Sequence, residues 1–246
     1  MHDWTDIPAR RLFSVYGIPV RIDATFLFAA LPVLLTVVFR HFVRPIDYIT
    51  AAGLMLGGVF VSILMHELGH ALAARVFRVG CEEIRVGGFY GFAVLSGRPA
   101  QRWQSVTILL AGPIANLLLF CFFWLLLGWP QDSGQLAIPA AARELPILDA
   151  PGVRVSIRWL ASLNLALAVF NLLPAFPLDG GRIFRIAAGR FLDDRTSVRL
   201  VATLGILIGA WSCFGVAQYP ALLFIGPLLV MANYAIRTGE IPAPVD

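Results

Sequence analysis

The sequence contains no lysine, so its positive charge comes entirely from 19 arginines. Charge of either sign is scarce: charged residues make up 14% of the 246 residues, whereas a typical soluble domain has about 25%. Hydrophobic residues make up 59%. This balance excludes an ordinary soluble domain and indicates an integral membrane protein. The net charge of +4 is then typical of cytoplasmic loops and not of a surface that binds nucleic acid.

Cysteine is also rare, with only Cys81, Cys121 and Cys213 in the chain. Their spacing matches no thiolate metal site. We interpret them as small buried hydrophobic residues.

Long uncharged runs are abundant. They cover Ala24–Phe39, Tyr48–Met65, Trp103–Gln131, Trp159–Leu178 and Leu200–Ile236. A spanning helix needs about 20 mostly apolar residues. The last run is long enough for two helices, with a turn near Gly215 and Pro220. We therefore predict an all-α polytopic membrane protein with about six transmembrane helices, forming a single domain over residues 1–246 without a separate soluble domain.

The arginines predict the orientation of the chain. With the N-terminus inside, five of the 19 fall in outer segments, namely Arg40, Arg44, Arg143, Arg154 and Arg158. Because positive residues concentrate on the cytoplasmic side, we expect a multi-pass protein of a prokaryotic cell membrane with both termini in the cytoplasm.

A segment after the second run breaks the helical pattern. "CEEIRVGGFYGFAVLSGRP" (Cys81–Pro99) alternates and is rich in β-branched, aromatic and glycine residues. It predicts a small membrane-associated β-hairpin after the second helix.

The motif "HELGH" (His66–His70) places ionisable groups at the end of an apolar run. Helix positions four apart share a face, so His66 and His70 can bind one metal ion. Glu67 can act as general base toward a water molecule activated by that ion. The alternative is a set of core polar residues, but burying three such groups in a membrane without a function is costly.

Asp179 in "NLLPAFPLDGGR" (Asn171–Arg182) is the candidate third ligand. Its segment and "HELGH" both lie toward the cytoplasmic side in the predicted topology. Pro174 and Pro177 should end the preceding helix. The alternative is an aspartate in a surface turn, because "DG" alone is a common turn sequence.

Taken together, the motifs resemble the site-2 protease family of intramembrane zinc metalloproteases. The resemblance rests on "HELGH", "AGPIAN" (Ala111–Asn116), "NLLPAFPLDGGR" and the "GGFYGF" hairpin, and covers roughly residues 53–190. It implies a three-helix catalytic core at about residues 50–190. It also implies one Zn²⁺ per chain, bound by His66, His70 and Asp179, with Glu67 as general base.

The resemblance further implies residues that contact the substrate. Asn171 and Asn116 look like asparagines that hydrogen-bond the substrate backbone or the developing oxyanion, although Asn116 could equally link packed helices. The hairpin, at Gly88 and Phe89, would present an edge strand to an unwound substrate.

The implied substrates are single-span membrane proteins, such as anti-sigma factors, membrane-tethered transcription factors or signal-peptide remnants. We expect a minimal member without PDZ or CBS domains, working in the bilayer and able to form oligomers. Two alternatives stay open: a zinc-binding transporter or sensor, and a catalytically inactive scaffold that binds helices.

Overall fold

The computed structural model describes residues 8–39, 44–88, 91–127, 129–130, 136–137, 150–213 and 222–244. After a 3₁₀ helix at Ala24–Ala29, the helices are α1 (Ala30–Val38), α2 (Pro45–Val76), α3 (Arg102–Leu127), α4 (Pro151–Asn171), α5 (Asp179–Ala188), α6 (Asp194–Ser212) and α7 (Leu222–Thr238). The strands are β1 (Ala9–Val15), β2 (Ile18–Asp23), β3 (Gly80–Val86), β4 (Gly91–Ser96), β5 (Trp129–Pro130) and β6 (Leu136–Ala137).

Within the described residues, α2, α3 and α4 are long and apolar enough to cross a membrane. The 32 residues of α2 extend about 48 Å at 1.5 Å per residue, which exceeds the hydrocarbon core of about 30 Å. The apolar helix at Ala24–Val38 is shorter. The last apolar run is divided into α6 and α7, and the turn expected between them lies outside the described residues. The structure thus supports a multi-pass membrane protein, while the count of six spans stays a prediction.

Specific contacts define both ends of α2, the helix that carries "HELGH". At its start, Arg44 donates two hydrogen bonds, of 3.0 and 3.1 Å, to the buried Asp47. At its end, Arg78 adopts a left-handed conformation with φ of 60°, and the N–H of Val79 bonds to the C=O of Ala74 at 3.0 Å. This left-handed ending stops the helix and directs the chain into β3.

The predicted hairpin is present, since β3 and β4 pair in antiparallel fashion. Its tip residues Phe89 and Tyr90 lie outside the described residues. The fold contains more β-structure than the single hairpin that the sequence predicted. Strands β1 and β2 form a second hairpin, and β2 pairs in parallel with β3. The result is a four-stranded sheet in the order β1-β2-β3-β4, with β4 at one edge.

The sheet packs on one face of α2. Ile18, Val20, Ile84 and Val86 of the strands form a buried cluster with Leu64, Leu68 and Ala71 of the helix. Because the three helix positions are four and three residues apart, they lie on one stripe. This contact attaches the sheet to the turns of α2 that carry "HELGH".

The predicted helix break is confirmed: α4 ends at Asn171 and α5 begins at Asp179. The seven residues between them include Pro174 and Pro177, as expected. In this segment the N–H of Leu178 bonds to the C=O of Ala175 at 3.0 Å, which forms a tight turn just before α5.

Candidate metal centre

Three potential metal ligands meet between α2 and the start of α5. Oδ2 of Asp179 lies 3.2 Å from Nε2 of His66 and 3.3 Å from Nε2 of His70, and the two nitrogens are 3.1 Å apart. All three side chains are buried. Among the described residues, this is the one group of three or more His, Cys, Asp or Glu side chains whose ligand atoms lie within 4.8 Å. The structure therefore brings together the three residues that the sequence predicted as ligands.

Local structure explains how each ligand reaches this point. His66 and His70 are one turn apart on α2, so their rings lie on the same face. Asp179 is the buried first residue of α5 and follows the N-cap residue Leu178, so it is not the aspartate of a surface turn that the sequence left as the alternative. The free backbone N–H groups at a helix start favour a nearby carboxylate.

The second nitrogen of each imidazole has a defined partner. Nδ1 of His66 lies 2.6 Å from Oδ1 of Asn116, and Nδ1 of His70 lies 2.7 Å from the C=O of Ile108. Both partners are acceptors, so each Nδ1 carries the ring proton and donates it. In the neutral form of each ring, Nε2 then presents a lone pair, and two lone pairs 3.1 Å apart repel unless a cation lies beside both. Two neutral imidazoles and one carboxylate fit Zn²⁺ with one open position.

Asn116 is held in this orientation by a buried network between α2, α3 and α4. Its Nδ2 donates to the C=O of Ser62 at 3.1 Å and to Oδ1 of Asn164 at 2.9 Å, which directs its Oδ1 toward His66. Nδ2 of Asn164 donates in turn to Oγ of Ser62 and to the C=O of Leu160, both at 2.9 Å. The side chain of Asn116 thus links three helices and orients a ligand.

Sequence reasoning missed Asn164. A signal was available, because Asn164 is a polar residue inside the run Trp159–Leu178, where such residues are costly. A lone asparagine does not identify its partner, however, and Asn116 is 48 residues away.

Helix α3 also faces the Nε2 atoms of both histidines at Gly112 of the "AGPIAN" motif. A Cβ atom at this position would lie 2.7 Å from Nε2 of His66 and would overlap the ring of His70. Only glycine therefore leaves the space between the two rings and α3 open.

Glu67 interacts electrostatically with the three potential ligands and packs against the edge strand β4. It is buried, and a Cβ atom on Gly91 would lie 2.7 Å from its Oε1. The backbone of Ala93 also hydrogen-bonds to its carboxylate. The carboxylate predicted to be the general base is thus next to both the metal ligands and β4.

The remaining predicted residues lie elsewhere. Asn171 is half-buried at the end of α4, and its Nδ2 donates to the C=O of Leu167 in its own helix at 3.0 Å. Gly88 is buried, and its N–H donates to Oγ1 of Thr25 at 3.2 Å. Phe89 lies outside the described residues. The structure does not bring Asn171 or Gly88 into hydrogen-bond contact with the three ligands.

Comparison with known proteins gives consistent results. The model of peptidase family M50 matches residues 54–148 and 131–214. The chain is 31% identical to sll0528 of Synechocystis over 145 residues, and this aligned region covers 59% of this chain and 34% of that protein. It is 37% identical to Rip3 of Mycobacterium tuberculosis over 128 residues, and this aligned region covers 52% of this chain and 29% of Rip3. It is 29% identical to MJ0392 of Methanocaldococcus jannaschii over 196 residues, and this aligned region covers 79% of this chain and 50% of MJ0392.

All three names contain the words zinc metalloprotease. The chain spans about a third of the length of the first two and half of the third. Among solved structures, the fold is similar to "Site-2 Protease from Methanocaldococcus jannaschii", with a TM-score of 0.61, 21% identity, and coverage of 97% of this chain and 98% of that one. This likeness concerns the fold.

Proposed function

The chain belongs to peptidase family M50, and from this premise we propose that it is a membrane-embedded zinc endopeptidase that cuts a peptide bond within or near the transmembrane segment of another membrane protein. The observation that carries the proposal is the buried group of His66, His70 and Asp179 beside the carboxylate of Glu67. The histidines and Glu67 lie on α2, which is one of three helices of membrane-spanning length in the part of the chain that the structure describes.

The chemistry follows from the roles of these side chains. His66, His70 and Asp179 would hold Zn²⁺, which would supply a Lewis acid that makes water a usable nucleophile near neutral pH and polarises the peptide carbonyl. Glu67 takes the proton of the attacking water and delivers it to the leaving amine. Asn116 orients His66 through the 2.6 Å contact with Nδ1, and the C=O of Ile108 orients His70 in the same way.

Asn171 is proposed to contact the substrate. Its Nδ2 donates one proton to Leu167, which leaves a second proton for a substrate carbonyl or an oxyanion. Asn116 is less suited to this role, because Ser62 and Asn164 accept from its Nδ2 and Oδ1 faces His66.

The outer edge of β4 is proposed to bind the substrate by strand addition. A peptide bond inside a transmembrane helix is already hydrogen-bonded within that helix, so the substrate has to unwind before hydrolysis. An unwound segment can pair with the free edge of a sheet. Strand β4 pairs with β3 on one side, and Gly91 and Ala93 place β4 against Glu67. This assigns substrate pairing to Gly91–Ser96 in preference to Gly88, because most of β4 is partly accessible whereas Gly88 is buried.

The substrates are proposed to be single-span membrane proteins, with anti-sigma factors, membrane-tethered transcription factors and signal-peptide remnants as the classes implied by the resemblance. The matched protein "Stage IV sporulation protein FB" of Bacillus subtilis, 24% identical over 212 residues, is named for a developmental process. We also propose that both termini and the active site face the cytoplasm, because most of the arginines then lie in inner segments.

The test is a cleavage assay in proteoliposomes. Purified protein is mixed with a panel of single-span substrates that carry a helix-breaking pair at the centre of the span, and each cut is located by mass spectrometry. We expect cuts within the span that stop with 1,10-phenanthroline and return with added zinc. A protein that holds about one zinc per chain but cuts none of the panel would favour the transporter or scaffold alternative. A protein that binds no zinc would contradict the metal site itself.

A further inference from the structure

Asn233 of α7 forms a hydrogen-bonded clamp on the segment that precedes Asp179. Its Oδ1 accepts from the N–H of Phe176 at 3.0 Å, and its Nδ2 donates to the C=O of the same residue at 2.7 Å. Nδ2 also donates to the C=O of Leu229 in its own helix at 2.9 Å. Asn233 and Phe176 are both fully buried. One side chain therefore satisfies both backbone groups of a single residue.

This pairing meets a physical requirement of the segment between α4 and α5. Irregular backbone at membrane depth is tolerated only where its polar groups find partners within the protein or in a wet cavity. An asparagine in an apolar helix is itself costly without partners. Because the amide of Asn233 and the peptide groups of Phe176 bond to each other, neither is buried without a hydrogen-bond partner.

Helix α6 leaves room for the clamp. A Cβ atom on Gly205 would lie 2.6 Å from Nδ2 of Asn233 and closer still to its Cγ. Around the clamp, Phe176 packs in a buried cluster with Val201 and Ala202 of α6 and with Ile236 of α7. Both helices of the C-terminal pair thus hold this one residue.

The position of Phe176 is transmitted to Asp179 through a short hydrogen-bonded turn. The N–H of Leu178 bonds to the C=O of Ala175 at 3.0 Å, and the C=O of Leu178 accepts from the N–H of Gly181 at 3.1 Å. Only Pro177 and Leu178 separate Phe176 from Asp179 in the chain. A shift of Phe176 therefore moves the start of α5 and the carboxylate it carries.

We propose that Asn233 is a positioning residue for the metal site, which holds Asp179 at ligand distance from His66 and His70 through Phe176. The inference rests on the proposed metalloprotease function. It extends the functional unit beyond residues 50–190, the core that the sequence suggested, because Asn233 and Gly205 lie in the C-terminal helix pair.

The experiment measures zinc affinity in the full-length protein in detergent, by competition with a chromophoric chelator. Asn233→Leu removes the amide with similar volume. Asn233→Ser keeps a hydroxyl that can bond to its own helix but is too short to hold Phe176. Gly205→Ala displaces the amide without changing Asn233. The matched control is Val201→Ala, which creates a cavity in the same cluster and leaves the clamp intact.

Each of the three clamp variants is expected to raise the zinc Kd by about 10-fold or more, within the range seen when residues that support metal ligands are changed. The rise in Tm on adding zinc should shrink accordingly. The variant that combines the changes at Gly205 and Asn233 should have a zinc Kd no higher than that of the single variants, because both changes disrupt the same clamp. Val201→Ala should lower Tm with and without zinc and leave the zinc Kd unchanged.

Two results separate the failure of this inference from failure of the proposed function. If wild type binds zinc and cleaves substrate but the clamp variants bind zinc as tightly as Val201→Ala, Asn233 has only a structural role and the inference is wrong. If wild type binds no zinc, the proposed function itself is wrong.

Discussion

A Cβ atom on Gly112 would lie 2.7 Å from Nε2 of His66, so the backbone of α3 forms one wall of the metal site. The contact explains why "AGPIAN" and "HELGH" belong to one structural unit although they are more than 40 residues apart. The same helix supplies Asn116, one turn further on, to the opposite nitrogen of His66. Helix α3 thus limits the space beside Nε2 of His66 and accepts a hydrogen bond from its Nδ1.

The first prediction concerns this wall. Gly112→Ala should raise the zinc Kd by more than about 10-fold, since the new methyl group would displace the ligand nitrogens and such displacement weakens metal binding. The matched control is Gly57→Ala on α2, where no atom of the described residues lies within 4 Å of the position that the new methyl group would take. Both changes introduce a good helix former. Isothermal titration with zinc would compare them, and equal affinity would show that α3 does not limit the site.

The second prediction concerns Glu67. Glu67→Gln keeps the size of the side chain but cannot accept the proton of water, so cleavage should fall about 10²–10⁴-fold. Zinc content should stay at the wild-type value, because Glu67 is not one of the three grouped ligands. Rates in proteoliposomes and metal analysis of the same preparation test both parts. A variant that lost zinc would instead make Glu67 part of the metal site.

The third prediction separates two asparagines of α4. Asn164→Leu should raise the zinc Kd by about 10-fold, because without its Oδ1 the amide of Asn116 can rotate and present Nδ2 to His66. Asn171→Leu should leave the zinc Kd unchanged and lower kcat, because Asn171 bonds only within its own helix in the described structure and is proposed to contact substrate. If both variants lost zinc equally, the network would have no specific role in orienting His66.

Much of this site could be predicted from the sequence because its signals are local. The four-residue spacing of His66 and His70 places both on one helix face, and Pro174 and Pro177 mark the helix break before Asp179. The hairpin of β3 and β4 also has a local signal in its alternating residues. Each of these patterns lies within a segment of about 20 residues or fewer.

The parts that sequence reasoning missed depend on partners distant in the chain. Strand β2 pairs in parallel with β3 across some 60 residues, and neither strand encodes that choice. Asn164 and Asn233 are single asparagines in apolar helices, and their partners are fixed only when the helices pack. The same reason left Asn116 undecided between a substrate contact and a helix link until its three partners were known.

The last prediction tests the placement of the edge strand against the general base. Gly91→Ala would put a methyl group 2.7 Å from Oε1 and 2.8 Å from Cγ of Glu67, and 2.7 Å from Cγ2 of Ile63, so the carboxylate has to move. We expect cleavage to fall by about 10²-fold, since misplacing a catalytic group by about 1 Å has an effect of this size. The zinc Kd should be unchanged, because the ligands themselves are not touched.

Gly80→Ala on the same hairpin is the matched control. Its methyl group would meet Oγ of Ser96, the end of a side chain that can rotate away, so cleavage should stay close to wild type. Rates with one substrate, together with zinc titrations, compare the two variants. Full activity of Gly91→Ala would mean that Glu67 works from another position, and the proposed pairing of substrate with β4 next to this carboxylate would lose its structural basis.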